Sequence, residues 1–384
     1  MGRRPFTRLR AAARRPALAG LALGAALLWP AADGPLRAQE TCRAPAPVCG
    51  AAAAVFRIGA FERFASAVRV SADELVTTRR AVADRARVTI YLNGGKTIEG
   101  RVVASGFAGD LALIRAPLPA GPALAVAPEM SGPLRVVGLD RATRSIEVFQ
   151  PGGAILPVHS AAVGARLHHG APAPPGSGGA VVDGEGRLVA VQVISRGRRS
   201  EAVPARHIAR LRALSGPGHA AESKARGEAY RTCIAITGKA IRVGDVVPSG
   251  IAKKMVAACL ASGSPDLIEG AGLVLSRSRM QAKAAAAFAR ALEIDANAID
   301  AHIGRVMVLA IQRRHREALS DVKWLLDAAP GDPAIQRIAL QTAKAAGDRG
   351  VIDRTLALIA LHNPTSLEAA KRFVGTADAP LPRL

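Results

Sequence analysis

Between about Val55 and Ala205 the apolar residues come in short runs at close spacing, broken by turn signals. The runs are 66-SAVRV-70, 74-ELVTT-78, 87-RVTIYL-92, 97-TIEGRVVAS-105, 111-LALIR-115 and 134-LRVVGL-139, then 144-RSIEVF-149, 180-AVVD-183 and 187-RLVAVQV-193. Asn93-Gly94 is a hairpin turn between two of them, and 183-DGEG-186 joins the last two. Runs of this length, bounded by such turns, predict strands. Together they predict a β-rich domain over 55–214, a sandwich or a barrel, closed by a helix at 205-ARHIARLRAL-214. From about Glu228 the pattern turns helical in period and rich in alanine.

The helical half repeats itself. Three segments end alike: 288-FARALEIDAN-297, 322-VKWLLDAAPGD-332 and 356-LALIALHNP-364. Their equivalent end positions Ala296, Pro330 and Pro364 are spaced by 34 and 34 residues. That period resembles tetratricopeptide repeats, two antiparallel helices per unit. The units are 265–298, 299–332 and 333–366. Gly272, Ala284, Phe288 and Ala291 fall at the family's small, small, large and small positions in the first unit. Ala318 and Pro330 match in the second, where Val306 and Leu325 are larger than the pattern asks. The third keeps Gly347 at the inter-helix turn and Pro364 at its end, and is otherwise worn, as a capping repeat is. The resemblance implies a concave groove for a peptide or protein partner; the plainer reading makes the repeats a platform for the β-domain. Residues 229–264 read as a helical lead-in, with 251-IAKKMVAACLAS-262 as one helix, and 367–384 as a C-terminal tail. Compositional shifts mark linkers at 39–54 and 215–228.

The first residues read differently from both halves. A basic stretch precedes the apolar run Ala17 to Trp29, too short for a membrane span and suited to a signal peptide over 1–38, with an uncleaved anchor as the alternative. The expected location is exported, in the periplasm or cell envelope. Of the 52 Lys and Arg, seven Arg lie in that leader, so a strong positive charge remains without it. No basic–aromatic interleaving accompanies the charge, and an exported chain rarely meets nucleic acid; the expectation is no nucleic-acid partner, and either a solvated surface or contact with an anionic envelope surface. The four cysteines, in an exported chain, predict disulfides. Proximity in sequence favours Cys42–Cys49 and Cys233–Cys259, and nothing in their spacing predicts a metal site or a cofactor.

Three stretches of the β-rich half carry chemistry. Pro175-Gly176-Ser177-Gly178-Gly179 precedes a hydrophobic hairpin, Asp110 opens DLALI, and Arg80 stands in 75-LVTTRRAVAD-84. In order and spacing they resemble the nucleophile, aspartate and histidine segments of chymotrypsin-fold serine proteases, most closely the bacterial trypsin-like and HtrA-type group, over about 55–214. The resemblance implies a multidomain chain: an all-β chymotrypsin-like double barrel followed by an all-α tetratricopeptide-repeat-like domain. It also implies Ser177 as nucleophile, Asp110 as the orienting acid, and an oxyanion-hole region at Pro175, Gly176 and Gly178.

The pattern departs from the family where chemistry needs it. Arg80 occupies the histidine position, and a guanidinium stays protonated and offers no lone pair to a seryl proton. Pro175 stands where the family's second oxyanion N–H would be, and proline has none. His159, His168, His169 and His207 are the remaining candidate bases, with loop or surface roles as the plainer reading. The expectation is a non-catalytic, protease-like adaptor in which the Arg80 guanidinium pairs with Asp110. The rivals are an endopeptidase with an unusual base, and a basic envelope-surface scaffold.

Overall fold

The computed structural model describes residues 42–128, 133–140, 142–150, 155–156, 167–169, 176–193, 200–243, 246–376 and 380. The leader, Pro175, His159 and the end of the tail lie outside the described residues.

Helix α1 (Ala46–Ala51) continues through a turn of 3-10 helix, Ala52–Ala54, into the sheet. Val48, Ala51 and Ala54 are fully buried beside Phe107, Leu111 and Val191, and the Cys42–Cys49 disulfide closes the segment. The linker expected over 39–54 is therefore corrected from Ala46 onward: its alanines are a helix packed into the core.

Strands β1 (Val55–Gly59), β2 (Ala65–Arg69), β3 (Glu74–Thr77), β4 (Arg87–Tyr91), β5 (Thr97–Val102) and β6 (Ala112–Arg115) form a closed barrel in the order β1-β2-β3-β6-β5-β4, with the one-turn helix α2 (Arg79–Val82) after β3. Burial follows the pleat in β4, where Val88 and Ile90 point inward and Arg87 and Thr89 outward. β2 is buried along its whole length, including Arg69, whose guanidinium donates to the carbonyls of Ser71, Ala72 and Pro119. At the predicted turn Gly94 and Gly95 take φ of 74° and 77°, a left-handed geometry that glycine adopts at no steric cost.

Among the described residues the second half forms a seven-stranded sheet. It holds β7 (Arg135–Leu139), β8 (Ile146–Phe149), β9 (Ile155–Leu156), β10 (Leu167–His169), β11 (Ala180–Val182), β12 (Leu188–Val193) and β13 (Ser200–Pro204), in the order β8-β7-β11-β12-β13-β10-β9. After β13 the chain enters a 3-10 turn and α3 (Ile208–Ala213), the predicted closing helix.

The segment expected as a second linker, 215–228, is instead mostly helix: α4 runs Ala220–Val243. It is followed by α5 (Ser249–Ser262), α6 (Pro265–Arg277), α7 (Gln281–Ile294), α8 (Ile299–Ile311), α9 (His315–Ala328), α10 (Pro333–Ala346), α11 (Arg349–His362) and α12 (Leu367–Gly375). The last of these corrects the tail: Ala370 and Phe373 of α12 pack on Leu340 and Ile359. α6, α8 and α10 begin at 265, 299 and 333, and α7, α9 and α11 at 281, 315 and 349, so the 34-residue period of the sequence is a period of helix pairs. The ring of Phe288 fills the space beside Gly272 and Gly304: a Cβ at either glycine would lie within 2.9 Å of it.

The β and α parts share a core. Ala83, from the turn after α2, is buried with Tyr230, Cys233 and Met255, and Phe61 of the β1–β2 loop packs against the same cluster. The Cys233–Cys259 disulfide pins α4 to α5 within it.

Candidate functional site

The turn 176–179 is clamped between β2 and β7. Gly176 N–H donates to the Leu139 carbonyl at 2.9 Å, Ser66 N–H to the Ser177 carbonyl at 2.7 Å, and Gly178 N–H to the Gln192 carbonyl at 2.7 Å. A Cβ at Gly176 would come within 2.1 Å of the Phe64 carbonyl oxygen, and one at Gly178 within 1.9 Å of that of Ser66. Gly178 also holds φ at 87°. Glycine is thus demanded on both sides of the serine by backbone approach alone, whatever Ser177 does. Ser177 itself is 0% exposed.

α2 is built by caps. The Thr78 side chain accepts from Ala81 N–H at 3.2 Å. Asp110 then accepts twice at the same helix start: its carboxylate from Arg80 N–H at 2.9 Å, and its carbonyl from Arg79 N–H at 3.3 Å. A carboxylate over the first N–H groups of a helix is favoured there by charge as well as by hydrogen bonding. The structure therefore brings Asp110 and Arg80 together, through the backbone of Arg80.

The Arg80 guanidinium has other partners. Nε donates to Glu62 Oε1 at 2.5 Å, and Nη1 meets Asp266 Oδ2 at 3.4 Å. The expected pairing of this guanidinium with Asp110 is corrected accordingly. Glu62 comes from the β1–β2 loop and Asp266 from the first turn of α6, so the ion pairs join barrel to helices. The three side chains are 16–18% exposed. Burial works against the guanidinium's charge; the Glu62 and Asp266 carboxylates outweigh it, and Arg80 stays protonated well above the usual range. Tyr230, on α4, stands edge-on to Phe61 with ring centroids 6.1 Å apart. Its hydroxyl is buried and makes no hydrogen bond among the described residues; burial, helped by the Asp110, Glu62 and Asp266 charges, holds it protonated against the opposing charge of Arg80.

Arg79, the other arginine of α2, faces the core. It donates to the Phe107 carbonyl at 2.8 Å and lies 3.4 Å from Asp84. Burial lowers its pKa and raises that of Asp84. From α4, Arg226 donates to the same Phe107 carbonyl and Arg231 to the Ala83 carbonyl, each at 2.6 Å. Between them Gly227 lets α4 lie against the α2 turn: a Cβ there would fall 2.7 Å from the Ala83 carbonyl oxygen.

Of the candidate bases, His207 packs beside Phe107 with centroids 6.4 Å apart, and burial followed by Arg206 and Arg210 lowers its pKa. His168 and His169 lie on β10, paired with Glu201 and Ser200 of β13. Both expected disulfides form, Cys42–Cys49 and Cys233–Cys259. Glu62, Asp266, Tyr230 and Phe61 were invisible to sequence reasoning as site residues. The one signal was Ser264-Pro265-Asp266, a helix start that places an acid in the first turn without saying what it faces.

The trypsin-like peptidase domain family matches residues 65–191, the stretch that contains Arg80, Asp110 and Ser177. No curated protein matches the chain. Among solved structures, the chain is similar to the Rv3671c protease of M. tuberculosis in an inactive form, at 20% identity and a TM-score of 0.36, over 44% of this chain and 91% of that one. It is also similar to the HtrA-type protease AlgW with a tripeptide, at 23% identity and a TM-score of 0.37, and to the serine endoprotease from Yersinia pestis, at 19% identity and a TM-score of 0.36. The match covers 44% of this chain in both cases, and 61% and 64% of the other chains, so less than two thirds of either relative is spanned.

Proposed function

We propose that the chain is an exported, non-catalytic trypsin-like protein, in which a tetratricopeptide-type helical part makes a degenerate protease domain into an adaptor for a peptide or protein of the cell envelope. The observation that carries this reading is Arg80. It stands at the position of the base and is engaged by Glu62 and by Asp266 of α6. A seryl nucleophile needs a neighbour that accepts its proton and passes it on, and a guanidinium held protonated by two carboxylates does neither. The complete burial of Ser177 agrees with the loss of substrate access. Pro175 adds a second, independent fault, because proline has no N–H to give an oxyanion; losing one such donor costs about 10²–10³ in rate.

The 34-residue recurrence of helix pairs supports the repeat reading, and two disulfides suit an oxidising compartment. Among the described residues no helix is long and apolar enough to cross a membrane.

The decisive experiment is labelling of the purified protein with a fluorophosphonate probe, run beside a casein turnover assay. No label on Ser177 and no turnover are expected. Stoichiometric label at Ser177 would instead favour an endopeptidase with an unusual base.

A further inference from the structure

A channel of about 950 Å³ runs between α5 and α7, floored by α6. The turns joining α5 to α6 and α6 to α7 are short, which makes α6 antiparallel to each and sets α5 and α7 running the same way. One end of the channel is therefore formed by the starts of both walls: Ser249, Gly250 and Lys253 on α5, and Lys283 on α7. Neither lysine has an ion-pair partner among the described residues. The α5 start has no side-chain cap, Pro248 preceding it, so its first N–H groups add to the positive character of this end. Beyond Lys253 the lining is aliphatic: Val256, Ala257 and Leu260 on one wall, Ala287 on the other, Ile268 and Ala271 on the floor. Among the described residues no acidic side chain lines the channel, and the Arg290 guanidinium at the far end is already paired with Glu293.

We propose that this channel binds a long-chain carboxylate, a fatty acid, with its head between Lys253 and Lys283 and its acyl chain running toward Leu260. The volume lies within the range of small-molecule sites, which are largely apolar with a few convergent polar groups. From Ser249 to Leu260 the α5 wall rises about 16 Å, the scale of an extended long acyl chain. Among the described residues the body of the channel has no side chain that could satisfy an extended peptide's backbone N–H and C=O groups, and an acyl chain carries none to satisfy. The Cys233–Cys259 disulfide fixes the α5 wall to α4, so the channel is formed before the ligand arrives. The inference does not depend on the adaptor reading.

The test uses delipidated full-length protein and dansyl-undecanoic acid, a fluorescent fatty acid. Saturable binding of one probe per chain is expected, weakened at least about tenfold when Lys253→Glu and Lys283→Glu are combined, by loss of roughly 1.4 kcal/mol or more of head-group attraction. The methyl ester of the probe should bind more weakly by a similar factor. Ala257→Trp, which fills the channel, should abolish binding with the circular dichroism spectrum unchanged; if that variant does not fold, the lysine pair still decides. Exposed Leu361, on α11, is the control: Leu361→Ser should leave binding intact. Non-saturable uptake, equal binding of acid and ester, or indifference to the lysine reversals would overturn the proposal. So would saturable binding of an acidic amphipathic peptide with none of the acid, which would give the channel to a protein helix.

Discussion

Arg80 ties the barrel to the helices through a single guanidinium. Two carboxylates from distant parts of the chain converge on it, and both would lose its charge on removal. Arg80→Ala should therefore destabilise the fold by about 1–3 kcal/mol, less than the full cost of breaking a wholly buried pair because the group keeps some solvent contact. Chemical denaturation measures it, and an unchanged midpoint would mean that the pairs do not matter. Arg80→His alone should produce no casein turnover, since it leaves Pro175 without an N–H. Tyr230→Phe makes the opposite kind of change. It keeps the edge-on contact with Phe61 and removes a buried hydroxyl with no hydrogen-bond partner among the described residues, so the unfolding free energy should hold or rise, by about 1 kcal/mol at most. A clear loss would reveal a hydrogen bond to that oxygen.

At the level of elements, the helices are held by a few specific ties besides their apolar faces. Asp321 of α9 accepts from His302 of α8 at 2.6 Å and from Arg305 Nε at 2.6 Å, under the stacked Trp324. Burial pushes its pKa up, but these hydrogen bonds and charges outweigh burial and hold it below the usual carboxylate range. A depressed folded pKa gives stability that is complete above the unfolded value, about 4, and is lost as the pH falls through the folded one. Asp321→Asn should flatten the acid limb of a melting-temperature profile below that pH while lowering stability near neutrality. An acid limb as steep as that of the unaltered chain would remove Asp321 from this role. The α4–α5 disulfide closes a loop of 26 residues, which by loop-closure entropy is worth about 3–4 kcal/mol. Thiol counting on denatured, unreduced protein should find no free cysteine.

For the whole molecule, the barrel and the helices meet through Phe61 and Ala83 in the helical core, through Arg226 and Arg231 on backbone carbonyls, and through Arg80 and Asp266. Such a shared core favours a single cooperative unfolding event over two. A double-mutant cycle between Arg80→Ala and Asp266→Ala should give a coupling of about 0.5–2 kcal/mol; a value of zero would make the contact incidental. Gly227→Leu should lower the stability of both parts together, because its side chain would press α4 away from the Ala83 carbonyl.

The sequence by itself determined what depends on local pattern. Strand runs such as 87-RVTIYL-92, the Asn93-Gly94 turn, the 34-residue helix-pair period and both cysteine pairings were legible, because alternation, turn chemistry and repeat spacing are properties of neighbouring residues. The glycines around Ser177, the Asp110 segment and the Arg80 segment were legible as a motif. The alanine-rich and charged stretches at 46–54 and 220–228 were misread as linkers, because alanine signals a helix only weakly until a core is there to bury it. Tertiary structure alone decided where the Arg80 guanidinium points. Asp110 was the nearer expectation by family position, but its carboxylate is bound to the start of α2 through the backbone N–H of Arg80. The guanidinium turns to Glu62 and to Asp266, a residue 186 positions away. No local pattern encodes that choice, because it follows from α4 and α6 lying across the barrel, and only folding brings those surfaces together.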